Sequence, residues 1–329
     1  MTTTRRLTLS ALLGALPAQA AFAQAASAQP AFPSRPIRLL VPYAAGGGTD
    51  AVARLMAQGM GERLRQAVVV ENSGVAGGNL ATQQAAAAAP DGYTVLMANQ
   101  GPMVVNPHLF KTLKVDPLTA FDPLVLIAAV PLMAVVPQDS PYATLRQLLD
   151  DAREHTGKLV YGSPGNGSAG HLATVLLAQT ARLSMVHVPY RGAAPALTDL
   201  LGGRTNLLVT TMPSVLGQVQ AGKARALAVT SRSRSRLFPE VPAVAELGWP
   251  GFEVTAWYGF VVPAGTPRPV ADLLRAAALD TVASPAVRAR LEGEGGEVIG
   301  AGPEVFGVMM RAESARWAEI IARGGVTAD

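Results

Sequence analysis

The stretch Ile37-Arg38-Leu39-Leu40-Val41-Pro42-Tyr43-Ala44-Ala45-Gly46-Gly47-Gly48-Thr49-Asp50 is an apolar run, a glycine-rich loop and a helix start in succession. Ile37 to Val41 has strand character. From Asp50 to Leu64, the residues Val52, Leu55, Met56 and Met60 recur at helical spacing. Glycine allows the backbone to turn with positive φ and lets a ligand approach without a Cβ in the way. The helix start adds unpaired N–H donors and the positive end of the helix dipole. Such a loop holds an anion without Arg or Lys. Thr49 and Asp50 suit N-capping; Asp50 also suits holding an amine or a bridging water. Tyr43, Ala45, Gly46, Gly47 and Asp50 are therefore candidate ligand residues.

The device occurs a second time. Leu159 to Tyr161 is strand-like, Gly162-Ser163-Pro164-Gly165-Asn166-Gly167 is a loop, and a helix opens near Ser168. This copy nominates Ser163, Gly165, Gly167 and Ser168, with His171 one turn into the helix. A third loop, Val188-Pro189-Tyr190-Arg191-Gly192-Ala193-Ala194-Pro195, places Pro195 in a first helical turn. There Tyr190 is positioned to close over a ligand, with Gly192 and Ala193 offering N–H groups. Any one of these loops also reads as an ordinary turn. Two in matching contexts describe a clamp, because ligands of open α/β sheets bind at the carboxyl ends of strands.

The rest of the chain repeats strand, Gly- or Pro-marked loop and helix, which implies an α/β fold with covered sheets. Further strands are expected at 68–70, 94–98, 124–136, 185–189, 207–210, 224–230 and 254–262. Helices are expected at 80–89, 145–154, 168–181, 195–201, 215–221, 270–283, 285–292 and 303–323. Two stretches, Leu132 to Pro137 and Tyr258 to Pro263, both end Val-Val-Pro and read as crossings between domains. One domain is then built from 29–131 and 257–329, and the other from 132–256.

The N-terminus bears on the compartment. Arg5 and Arg6 precede the short apolar run Leu7 to Leu16, followed by Ala21-Phe22-Ala23 and Ala26-Ser27-Ala28. This order is that of a secretory signal peptide over 1–28, cleaved after Ala23 or Ala28 by the Sec or Tat route. The run is too short to span a bilayer, which takes about 20 residues. The sequence contains no Cys, which excludes disulfides, thiolate metal sites and a lipid-anchored cysteine. Arg5 and Arg6 leave with the leader, so the formal charge of +4 falls to +2. That is no nucleic-acid footprint. Trp249, Trp257 and Trp317 read as core or hinge packing.

The motif Tyr43-Ala44-Ala45-Gly46-Gly47-Gly48-Thr49-Asp50 resembles the first ligand loop of the Bug family, the extracytoplasmic receptors of tripartite tricarboxylate transporters. Other stretches fit the family in order: Ala76-Gly77-Gly78-Asn79, Ala89-Pro90-Asp91-Gly92-Tyr93-Thr94, Tyr161 to Ser168, Val188 to Gly192, Ala226 to Thr230, Val241 to Glu246 and Pro263 to Pro267. The resemblance covers essentially all of the mature chain. It implies a type II-like two-domain periplasmic binding-protein fold, each domain a mostly parallel sheet flanked by helices, with the ligand in the cleft. It implies a di- or tricarboxylate, acidic amino acid or aromatic carboxylate as ligand, held largely by backbone N–H groups and waters. It also implies a membrane permease as partner, a monomeric receptor, no cofactor and no enzymatic activity. One departure stands out. Where many relatives carry Asp-Asn before Leu-Pro-Ser, this chain has Thr210-Thr211 before Met212-Pro213-Ser214. Hydroxyls replace a carboxylate there, and Thr211 joins the candidate ligand residues.

Two enzyme readings compete. Gly46-Gly47-Gly48-Thr49-Asp50-Ala51 satisfies the dinucleotide pattern G-x-G-x-x-A, with Glu71 after strand 68–70, and so suits an NAD-dependent oxidoreductase. Export and an acid at the helix start argue against it. Asn166-Gly167-Ser168-Ala169-Gly170 approaches the G-x-S-x-G elbow of serine hydrolases with Ser168 as nucleophile, but Asn166 replaces its first Gly. His171 and His187, the histidines downstream, follow too closely for the triad order. His108, His155, His171 and His187 lack H-E-x-x-H spacing, so no metal site is expected.

Overall fold

The computed structural model describes residues 32–324. The leader assigned to 1–28 lies outside them. The chain opens with β1 (Ile37–Val41), α1 (Gly48–Leu64), β2 (Val68–Asn72), α2 (Asn79–Ala86) and β3 (Thr94–Asn99). A π-helix over Gly101–Val105 and the short helices α3 (Asn106–Leu109) and α4 (Pro117–Ala120) lead into β4 (Phe121–Pro137). The middle of the chain runs α5 (Leu145–Glu154), β5 (Val160–Ser163), α6 (Ala169–Ala181), β6 (Val186–Pro189), α7 (Ala193–Leu201), β7 (Leu207–Thr211), α8 (Met212–Gln220) and β8 (Ala224–Val229). It closes with β9 (Thr255–Pro263), α9 (Arg268–Ala283), α10 (Pro285–Gly293), β10 (Glu297–Ala301) and α11 (Pro303–Gly324).

These elements form a two-domain α/β binding-protein fold. In the first sheet β1 pairs in parallel with β2 and β3, and β3 pairs antiparallel with β9. In the second, β5 pairs in parallel with β6 and β7. Each domain thus has a parallel core. β4 is antiparallel to all its partners and belongs to both sheets. Its residues Phe121 to Pro131 pair with β9, and Leu132 to Pro137 pair with β7 and β8. Pro131 stands at the changeover. Its missing N–H suits the place where one ladder ends and the next begins. Pro123 falls at a register shift opposite β9, a position that tolerates a missing donor in the same way.

Burial follows from this arrangement. β3 is buried along its whole length and β9 at every residue but Thr255, as strands covered on both faces must be. α1 turns Val52, Met56 and Met60 inward, while α11 buries Phe306 and Trp317 completely. The middle segment has a capped entry: Thr144 and Gln147 form a reciprocal capping box at the start of α5.

The structure differs from the sequence expectation in several places, of which three bear on the sheets and the site. Tyr258 to Pro263 lies inside the first sheet, so the chain returns from the second sheet between Val229 and Thr255. β10 was not expected. It carries Gly300 and pairs only with a short part of β4, so its alternation is weak. The π-helix over Gly101–Val105 was not expected either, because the Gly101-Pro102 pair that opens it reads as a turn.

Candidate functional site

Four helix starts meet at one cavity. Gly48 and Thr49 open α1, Ser168 and Ala169 stand at the head of α6, Ala193 opens α7, and Ser214 lies in the first turn of α8; all line it. β1, β5, β6 and β7 run in parallel cores or end beside them, so their carboxyl ends deliver these helices to the same place. Tyr43, Asn99, Thr210, Thr211 and Tyr258 complete much of the wall. Among the described residues, no Asp, Glu, Lys, Arg or His lines it. Each helix start carries unpaired N–H groups and about half a positive charge. The cavity is therefore electropositive without a cationic side chain. Its volume is about 40 Å³, where a single water needs ~10–15 Å³.

The first loop is braced from behind. Gly46 adopts φ +86°, a conformation glycine accepts readily. Its N–H donates to Asp50 Oδ2 at 3.0 Å, and Arg54 Nε donates to the same oxygen at 3.0 Å. Arg54 also reaches Asn72 Oδ1, and Asn72 Nδ2 donates to the carbonyl of Tyr43 at 3.0 Å. Burial pushes the Asp50 carboxyl up, but Arg54, the Gly46 N–H and Asn72 together hold it below the ordinary carboxylate value. Asp50 and Gly46 thus shape the loop; neither lines the cavity, nor does Ala45.

The second loop rests on a stack of rings. His171 and His187 stack with centroids 4.2 Å apart, and His187 stacks on Tyr161 at 4.7 Å. The Gly167 N–H donates to His171 Nδ1 at 3.2 Å, which assigns the remaining ring proton to Nε2. His187 Nε2 lies 2.7 Å from Ser163 Oγ, which in turn accepts the Gly165 N–H. Burial lowers the His171 pKa to about 3, with His187 nearby adding to the effect, and burial lowers His187 to about 4. Both rings are neutral at ordinary pH. Ser163, Gly165, Gly167 and His171 set the loop's shape from beneath and stand outside the cavity lining.

Ser168 lines the cavity, but its hydroxyl accepts the His171 N–H as the N-cap of α6. The ring of His171 faces Gly167 and not this hydroxyl. The hydrolase arrangement of Ser168 with a histidine base is absent among the described residues.

The third loop corrects one expectation. Tyr190 does not close over the cavity: its hydroxyl donates to Asp199 Oδ2 at 2.8 Å, beside Arg204. The ring packs behind Gly162. Gly192 presses against Ala44 of the first domain and lies outside the lining; Ala193 lies within it.

The domains touch across the cavity. The Ala44 N–H donates to the carbonyl of Arg191 at 3.1 Å. The Gly48 N–H donates to Ser214 Oγ at 2.9 Å, and Ser214 Oγ lies 2.8 Å from Thr211 Oγ1. Added Cβ atoms at Gly74, Gly77 and Gly101 would stand 2.3, 2.6 and 2.7 Å from the carbonyl oxygens of Arg191, Asn166 and Gly167. These contacts hold the loops of the two sheets together around the cavity.

Of the residues singled out from sequence, Tyr43, Gly47, Ser168, Ala193 and Thr211 line the cavity. Sequence reasoning missed Asn99, Ser214 and Tyr258. Asn99 ends an apolar strand, and Tyr258 sits in the middle of another, so only sheet register brings them together. Ser214 had a signal, the Thr211-Met212-Pro213-Ser214 helix start, which was read for Thr211 alone. The Tyr258 hydroxyl is buried with no well-aligned partner. Burial raises its pKa to about 12, although Thr211 and Thr49 close by pull the other way.

A two-domain α/β fold whose helix starts line a cavity without charged side chains is that of a periplasmic solute-binding receptor. The comparisons agree. The model of the tripartite tricarboxylate transporter family receptor matches residues 52–326. The chain belongs to this family, the Bug or TctC type of periplasmic solute-binding receptor. A curated relative, the "UPF0065 protein in tcbD-tcbE intergenic region" of Pseudomonas sp. strain P51, is 41% identical over 88% of this chain and 87% of its own length. The solved periplasmic binding protein BugD is 36% identical, with a TM-score of 0.87 over 90% of this chain and 99% of that one. A protein of R. palustris solved with adipate has 33% identity and a TM-score of 0.87 over 90% of this chain and 99% of that one. MatC of Rhodopseudomonas palustris, solved with bound malate, has 32% identity and a TM-score of 0.85 over 88% of this chain and 100% of that one.

Proposed function

We propose that this receptor captures a small carboxylate between its domains and delivers it to the membrane permease of a tripartite transporter. One observation carries the reading: four helix starts converge on a cavity with no charged side chain. An anion fits such a site, because it meets oriented N–H donors without the need to desolvate a cation. The solved relatives with adipate and malate support a carboxylate as the ligand class. In this reading the domains are 29–131 with 257–329, and 132–256. Tyr43, Gly47, Gly48, Thr49, Ser168, Ala193, Thr211 and Ser214 surround the ligand, while Asp50, Ser163 and His171 hold the loops. The protein exports by its leader and acts as a monomer without a cofactor.

Closure follows ligand entry. A ligand shifts the open–closed balance only by binding the closed form better, and here the N–H groups of both domains meet only when closed. The permease then distinguishes the closed, loaded receptor by its shape.

The test is a thermal-shift screen of the mature protein, refolded from denaturant to strip any ligand, against di- and tricarboxylates, amino acids, aromatic carboxylates and NAD. At 100 times its dissociation constant a ligand adds about 2.7 kcal/mol of stability. A shift with carboxylates is the expected result. A shift with NAD and none with any carboxylate overturns the proposal.

A further inference from the structure

The cavity wall holds polar atoms that find no partner. Asn99 ends β3 at the register position of Tyr258 in β9, so the two side chains share one face of the sheet. Ala256, two residues before Tyr258, lies on the same face and also lines the cavity. Asn99 is 4% exposed. Its Nδ2 donates to the carbonyl of Trp257 at 3.4 Å, which places Oδ1 as the free end of the amide. Oδ1 is left buried and unpaired, as is Thr210 Oγ1, and the two do not bond each other. The hydroxyl can donate to a carboxylate, but an amide oxygen only accepts. An unpaired buried acceptor is costly, so this wall favours an occupant that brings a donor.

The donor's chemistry is narrowed by charge. No acidic side chain among the described residues lines the cavity, where Thr210 and Thr211 stand in the wall. Nothing there balances a desolvated ammonium. A hydroxyl supplies the same donor without the charge. The helix starts and Asn99 share one cavity of about 40 Å³, so the donor is carried close to the carboxylate it accompanies.

We propose that the ligand is a 2-hydroxycarboxylate and that Asn99 selects it, with Oδ1 accepting the ligand hydroxyl. The inference rests on the carboxylate reading above and adds a specificity residue to it. Unsubstituted acids leave Asn99 Oδ1 unpaired, and 2-amino acids place an uncompensated cation in the cavity.

The experiment is calorimetric titration of refolded receptor with two ladders: succinate, malate and aspartate, then glutarate, 2-hydroxyglutarate and glutamate. In the ladder that fits the cavity, the hydroxy acid is expected to bind about tenfold more tightly than the unsubstituted acid, with the amino acid weakest. Asn99→Leu should erase that preference. Asn99→Asp, which preserves shape, should raise affinity for the amino acid relative to the hydroxy acid, and it carries the test where Asn99→Leu does not fold. Equal binding of hydroxylated and unsubstituted acids, or tightest binding of the amino acid, overturns the inference and leaves the carboxylate reading intact. No binding by any carboxylate overturns both.

Discussion

Asn106 of the first domain packs so closely on Gly167 of the second that a Cβ at Gly167 would lie 2.0 Å from Asn106 Oδ1. The same Asn106 amide donates to the carbonyl of Gly77 and to Asn79 Oδ1. The Gly162–Gly167 loop therefore packs on a fixed surface of the first domain.

Gly167→Ala tests that contact. Gly167 has φ +75°, so alanine is strained there by roughly 1 kcal/mol and also blocks closure. Ligand affinity is expected to fall at least tenfold, while the ligand-free melting temperature drops by only a few degrees. Titration calorimetry together with a thermal melt separates the two effects.

Ser214→Ala removes the acceptor of the Gly48 N–H and the partner of Thr211. Both bonds form across or beside the closed cavity. The expected loss is about 1 kcal/mol of closure, a several-fold rise in Kd with little change in unliganded stability. Equal affinity in wild type and variant would show that the bond adds nothing to closure.

Asp50→Asn probes the brace behind the first loop. The Asp50 side chain is 7% exposed and paired with Arg54, and its folded pKa is held below the ordinary value. A depressed carboxyl pKa contributes stability above the unfolded pKa of about 3.9 and loses it as pH falls through the folded value. Asn at this position should cost about 2 kcal/mol at pH 7 and flatten the acid limb below pH ~4. Urea unfolding across pH 3 to 7 measures both.

The His171–His187 stack predicts a second, higher pH dependence. Both rings have folded pKa values far below 6.5, about 3 and about 4. The unfolded chain takes up protons as pH drops below 6.5 while the folded chain does not, so stability is complete above that pH and declines beneath it. The expected loss is on the order of 2 kcal/mol per ring between pH 6.5 and 5. Replacement of His187 by Gln should reduce the slope of unfolding free energy against pH in that window.

Much of this molecule is legible in its sequence. The strand–glycine–helix units at 37–50 and 159–168, the helices of the last third and the long apolar run that becomes β4 all follow from local periodicity and turn chemistry, which act between near neighbours. The glycine loops and helix starts point to Tyr43, Gly47, Ser168 and Ala193, and the family resemblance to Thr211; all five line the cavity. The direction in which other side chains face was not legible. Tyr190 turns to Asp199, Ser163 and His171 turn inward to His187 and Gly167, and Asp50 turns back to Arg54. Each choice depends on a partner from a different turn, strand or helix. Asn99 and Tyr258, separated by well over a hundred residues, become neighbours only through the pairing of β3 with β9. Local sequence determined which segments carry oriented N–H groups. Tertiary packing alone decided which of them share a cavity, because that depends on sheet register and on the closure of one domain upon the other.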